Sequence, residues 1–146
     1  MPIKYQKWIE RSDLHNNPED VYIFGDNYAR QGLCGQAKAM RGEPNALGIA
    51  TKRTPYHNNE DAYFSDDNFF MHTYSLSVEF GKANVALKEG KTVVIPSDGI
   101  GTGLSKVPEK APQVHTYIEM AVMVLERRYG MLLGVDPVWQ FRFIKR

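Results

Sequence analysis

Short apolar runs punctuated by glycine and asparagine divide the chain into alternating strand-like and helix-like segments. Val21-Tyr22-Ile23-Phe24 lies between the turn-prone Asn16-Asn17-Pro18 and Gly25-Asp26-Asn27, which predicts a buried strand. Gln36 to Arg41 is helix-prone and stops at Gly42, and Leu47 to Thr51 reads as a second strand. Leu76, Phe80, Ala83 and Leu87 recur at +4, +3 and +4, the period of an amphipathic helix, here ending at Gly90. Thr92 to Ile95 is a third strand. Ala111, Val114, Ile118, Ala121 or Val122, Leu125 and Tyr129 then mark one face of a long helix that ends at Gly130. Pro108 and Pro112 are tolerable only near that helix's first turn, where a missing N–H costs little. Val138 to Ile144 alternates Trp139, Phe141 and Phe143 with Val138, Gln140 and Arg142, and suggests a closing strand. The polar stretch from Lys52 to Asn68 is long for a loop in one domain, so a functional lid or a small embedded element is expected there. Alternating strands and helices imply an α/β fold in which helices cover a mixed sheet.

Composition narrows the function classes. The 146 residues fit one domain spanning 1–146, and 42% apolar with 24% charged residues is ordinary for a folded globular chain. Eighteen Lys and Arg against seventeen Asp and Glu leave a net charge of +1, which argues against gripping long nucleic acid by phosphate neutralisation. A site for one small anion needs only local positive potential and stays open. Cys34 is the only cysteine, so no intrachain disulfide can form, and it reads as a small buried hydrophobe rather than a nucleophile. Met1 to Trp8 has no apolar core of a signal peptide, and the longest apolar stretch, Met120 to Leu125, is far short of a membrane span. A cytoplasmic protein is expected, in the host cytoplasm if the gene is phage-borne. His15, His57, His72 and His115 show no metal-ligand spacing, and no cofactor is expected.

Two strand-to-helix turns carry most of the chemical information. The first runs from Gly25, Asp26 and Asn27 through Gly32, Leu33, Cys34 and Gly35 to Gln36; the second is Pro96-Ser97-Asp98-Gly99-Ile100-Gly101-Thr102-Gly103-Leu104. Open α/β sheets bind ligands beyond the carboxyl ends of their strands, where both turns are predicted. Closely spaced glycines leave backbone N–H groups uncovered, as a phosphate-holding nest requires. Neither G-x-x-x-x-G-K-[ST] nor G-x-G-x-x-G is present, and the second loop alone is also compatible with a tight structural turn.

The block Asp26-Asn27, glycine loop, Gln36-Ala37-Lys38-Ala39 resembles the macrodomain turn in which an Asn-bearing strand leads into a glycine-rich loop and helix. Val93-Val94-Ile95-Pro96-Ser97-Asp98-Gly99-Ile100-Gly101-Thr102-Gly103-Leu104, followed by Pro108-Glu109-Lys110-Ala111, is similar to that family's strand, phosphate loop and helix. The resemblance spans roughly residues 20–128. The same Gly-Asp-Asn and Pro-x-Asp-Gly-Ile-Gly-Thr-Gly blocks also resemble small uncharacterised bacterial and phage proteins. The macrodomain likeness implies a three-layer α/β/α sandwich that binds ADP-ribose or a related nucleotide. It would place Asn27 near the distal ribose, let Gly25, Gly32, Gly35 and Gln36 approach the ligand, and wrap the diphosphate with Ser97 and Gly99 to Leu104. Three departures matter: Asp26 replaces a small apolar residue, Asp98 enters the phosphate loop, and Leu33-Cys34 stand where the family has more glycine.

Asp26 and Asp98 both follow predicted strands and would converge at one sheet edge, as catalytic groups with Asn27 or as caps of their own turns. Lys38, Arg41, Lys52 and Arg53 either neutralise phosphates or form a solvated face, the commoner role for such charges. His57 with Tyr56 and Tyr63 makes a stacking lid or an ordinary exposed loop, with the latter favoured. His115 reads as a helix-flank residue, and Trp8, Trp139, Phe141 and Phe143 as core. Three functions remain: a nucleotide binder, with or without hydrolysis of a ribose-linked bond; a ligand-free scaffold that binds a protein partner; and, least favoured, a nucleic-acid processing protein.

Overall fold

The computed structural model describes residues 2–130 and places all of its strands in one sheet. The strands are β1 (Ile3–Gln6), β2 (Val21–Asn27), β3 (Ala46–Lys52) and β4 (Val93–Pro96), in the order β1-β4-β2-β3. Every pairing between them is parallel, where a mixed sheet was expected. The closing strand expected at 138–144 lies outside the described residues. Parallel strands are covered on both faces and so read as continuous apolar runs, which explains Val21 to Phe24 and Val93 to Ile95.

The helices are α1 (Arg11–Asn16), α2 (Ala37–Met40), α3 (Phe69–Lys88), α4 (Val107–Lys110) and α5 (Pro112–Leu125), the last continuing into a π-helical turn at Glu126–Gly130. One face of the sheet, carrying Tyr22, Phe24 and Val94, packs on Leu14 of α1 and on Ala37 and Met40 of α2. The opposite face, carrying Ile23, Val93 and Ile95, packs on Leu76, Phe80 and Ala83 of α3 and on Val114 and Ile118 of α5. The stripes read at 76–87 and 111–125 are the buried faces of α3 and α5. Gly90 stops α3 as expected, its φ of 87° letting Lys91 N–H reach back to Ala86 O at 3.0 Å. β1 and α1 were not expected from the pattern, because Ile3, Ile9 and Leu14 are too sparse to show a period.

The 52–68 stretch is mostly an embedded element. Ala62, Tyr63 and Phe64 are buried, and Lys52 bridges Tyr63. Asp66 accepts hydrogen bonds from Gln113 and Val114 N–H, both at 3.1 Å, and so caps the start of α5. Residues 56–61 stand out into solvent, as do Asp67 and Asn68 just before α3. No helix among the described residues is long and apolar enough to cross a membrane.

Candidate functional site

β2 and β4 are sheet neighbours, yet the chain leaves them toward opposite faces: β2 leads to α2 on one side, and β4 leads to α4 and α5 on the other. A crevice opens at the carboxyl ends of such a pair, the usual ligand position in open α/β sheets. Here it is a groove of about 490 Å³ lined from the first loop by Gly25, Cys34, Gly35 and Gln36. The second loop lines it with Asp98, Gly99 and Gly101 to Ser105. A narrower recess of about 70 Å³, sharing Gly25, Cys34, Leu104 and Ser105 with the groove, adds Asp26, Asn27, Gly32, Arg41, Lys52 and His57. The two loops singled out in the sequence thus meet at one site.

Two of the residues expected to contact ligand do not line this groove or its recess. Ile100 is buried at 4% exposure in the core beneath the loop, and it and Ser97 line an adjoining cavity of about 300 Å³ beside α5, which shares Asp98, Gly99 and Thr102 with the groove. Gln36 lines the groove, but its amide is engaged with the backbone of Ile9: Nε2 donates to Ile9 O, and Oε1 accepts from Ile9 N–H, each at 3.0 Å. Asn27 likewise binds its own turn, donating from Nδ2 to Gln31 O at 2.8 Å.

Asp26 anchors the first loop. Its carboxylate is nearly buried and meets Arg41 Nη2 at 2.6 Å and Arg30 Nη1 at 3.2 Å, while Asn27 N–H donates to Oδ1 at 2.8 Å. Arg41 also donates from Nε to Gly32 O at 2.8 Å and from Nη2 to Gln31 O at 3.1 Å, so one guanidinium ties the strand end to the loop. Arg30 continues the network to buried Glu79, at 2.8 Å, whose other oxygen accepts from Ala50 N–H at the outer edge of β3. Gly48 makes room for Asp26: a Cβ there would lie 2.5 Å from Oδ2. Asp98 is different. It is exposed at the groove, and its carboxylate has no hydrogen-bond or ion-pair partner among the described residues. The carbonyl of Asp98 accepts from Thr102 Oγ1 at 2.6 Å, closing the turn.

The second loop is held from below. Gly101 has φ of 80°, and a Cβ there would lie 2.9 Å from Val107 Cγ2 and 3.3 Å from Thr51 Cγ2, so only glycine lets the loop sit this close to the sheet. Thr51 also hydrogen-bonds Ser105 at 2.6 Å. In consequence the backbone N–H groups of Gly101 to Ser105 donate to no acceptor among the described residues, and neither do those of Gly32 to Gly35. Most of these residues are exposed, so their N–H groups are open to water or to a ligand in the groove.

Two cations read as a solvated face do not stand in solvent. Arg41 is half-buried, and Lys52 is 5% exposed, with Nζ donating to Tyr56 O, lying 3.1 Å from His57 Nδ1 and 4.6 Å from the centre of the Tyr63 ring. Burial lowers the pKa of the Lys52 ammonium, Cys34 opposing that shift and Lys106 reinforcing it. The signal available beforehand was position: Lys52 ends a strand at the same sheet edge as Asp26. Lys38 is exposed, as expected. His57 is exposed and lines the recess, while Tyr63 is buried beside β3 and is no lid. Trp8, read as core, is 67% exposed and lines the groove, and Cys34, read as buried, is exposed there too. Among the described residues, no group of three His, Cys, Asp or Glu side chains is placed to hold a metal ion.

No curated protein and no solved structure matches this chain. Residues 4–121, which take in β2, β3, β4, most of β1 and both loops of the groove, match a family of unknown function, DUF7831, and the chain belongs to that family.

Proposed function

We propose that the groove binds an ADP-ribose-type or related nucleotide, with the diphosphate between the two glycine loops. The observation that carries this reading is the pair of uncommitted N–H runs, Gly32 to Gly35 and Gly101 to Ser105, in loops that line one groove. Backbone donors of this kind hold phosphate oxygens without a basic surplus, which suits a net charge of +1. A groove of about 490 Å³ is within the range of small-molecule sites. A three-layer, macro-like architecture is part of the same proposal, supported by a helical core on each face of the sheet. Calorimetry against ADP-ribose, cyclic ADP-ribose isomers, and mono- and dinucleotides tests it. Saturable heat with ADP-ribose is expected, and no heat with any of these ligands would sink the reading.

The proposal has a hydrolytic form, and Asp98 is then the carboxylate that activates water at a ribose-linked bond, because Asp26 is already engaged by two arginines. The two forms share a prediction. Asp98→Asn removes a negative charge from beside the phosphate loop, so inorganic pyrophosphate is expected to bind a few-fold more tightly in titrations. Weaker binding would contradict the placement of phosphate there. A protein-binding scaffold is the second reading, favoured by Leu33 and Leu104, which stand 61% and 52% exposed on the two loops. It predicts a silent calorimetric screen.

A further inference from the structure

Trp8 sits in the connection between β1 and α1, and the peptide that follows it is held by two side chains. Gln6 Nε2 donates to Trp8 O at 2.9 Å, and the next residue, Ile9, is fixed through both backbone groups by Gln36, itself on the first glycine loop. Ile9 is fully buried. The indole one position earlier is 67% exposed and lines the groove beside Thr102, Gly103 and Leu104 of the phosphate-type loop. A large aromatic ring left in water forgoes the burial that would stabilise it by a few kcal/mol. The hydrogen bonds on the peptide that follows Trp8 fix where the ring leaves the backbone, so its place at the groove is set by the fold. Leu104, 52% exposed, lines the same groove and offers an aliphatic face. An exposed indole and an exposed leucine lining one groove, next to uncommitted backbone donors, have the chemistry of a site for a flat aromatic ring attached to a phosphate.

We infer that Trp8 is the base-stacking platform of the groove, so the ligand lies with its nucleobase between Trp8 and Leu104, its phosphates along Gly101 to Ser105, and its far end toward the Arg41 and Lys52 recess. This deepens the nucleotide reading and rests on it. Stacking on an aromatic side chain depends on the base and not on the phosphate, so ligands with and without a base separate the two.

The experiment titrates the full chain with ADP-ribose, AMP, ribose 5-phosphate and inorganic pyrophosphate, in wild type, Trp8→Ala and Trp8→Phe. Trp8→Ala is expected to weaken ADP-ribose and AMP by about tenfold or more while leaving ribose 5-phosphate and pyrophosphate unchanged, and Trp8→Phe to retain most of the affinity. Equal melting temperatures of the variants would show that the loss is local. Unchanged ADP-ribose binding in Trp8→Ala overturns the inference, and so does an equal loss for pyrophosphate, which would mean that Trp8 only shapes the loop. Wild-type protein that binds pyrophosphate but gains nothing from a base overturns the platform and leaves the anion site standing. Wild-type protein that binds none of the four ligands removes the nucleotide reading and this inference with it.

Discussion

Replacing Asp26 by alanine is expected to destabilise the protein by about 2–3 kcal/mol in urea unfolding, toward the lower end for a broken buried ion pair because Arg30 retains solvent. The substitution strips Arg41 and Arg30 of their shared carboxylate and leaves Asn27 N–H without its acceptor. Arg41 also holds the Gln31 and Gly32 carbonyls, so the 27–36 loop should loosen along with the strand end. Gly48→Ala approaches the same carboxylate from β3: its Cβ would lie 2.5 Å from Oδ2, forcing Asp26 away from its partners. Both variants should therefore lose stability, and both should weaken binding in the groove through loss of the loop. If Asp26→Ala keeps full stability and loses only turnover, Asp26 is a catalytic group and the anchoring role assigned to it is wrong.

The second large effect is pH dependence set by His72. This side chain is fully buried on α3, its ring stacked on Phe64 at a centroid distance of 3.7 Å, with the Tyr28 hydroxyl 2.7 Å from Nδ1. With the tyrosine donating to Nδ1, the neutral ring carries its proton on Nε2, which has no acceptor among the described residues. Burial, with Arg53 nearby and only Asp66 opposing, lowers the His72 pKa from 6.5 to about 4. In the unfolded chain the imidazole takes up a proton as pH falls through about 6.5, whereas the folded protein resists until about 4. Stability is therefore fully present above pH 6.5 and falls between these values, by about 2 kcal/mol from pH 6.5 to 5, before most carboxylates titrate. Denaturant midpoints across that window measure it. His72→Phe should flatten the profile there, and an unchanged slope would show that another group is responsible.

The sequence exposes much of the frame for a physical reason. Parallel strands buried on both faces are uninterrupted apolar runs, and long helices over a sheet keep a clear period, so Val21 to Phe24, Val93 to Ile95, α3 and α5 are all legible. The parallel pairing is not, because direction depends on where α2 and α3 carry the chain, and a four-residue strand such as β1 has too few positions for any pattern. The two glycine loops could be placed at strand ends, and the structure does bring them together. Which loop residues face the groove was not readable: Ile100 is drawn down into the core, and Gln36 turns to Ile9. Lys52 and Arg41 read as a solvated face and Trp8 as core, because residue type alone misleads for them. Lysine and arginine are usually solvated and tryptophan usually buried, and at this sheet edge all three depart from the rule.

The central claim is that the backbone donors of the two loops hold one nucleotide together. Titration of 15N-labelled protein with ADP-ribose, followed by amide chemical shifts, tests it most directly. The amides of Gly32 to Gly35 and of Gly101 to Ser105 are expected to shift on a single saturation curve, with those of α3 unaffected. Shifts confined to one loop, shifts lying elsewhere, or none at all would contradict it.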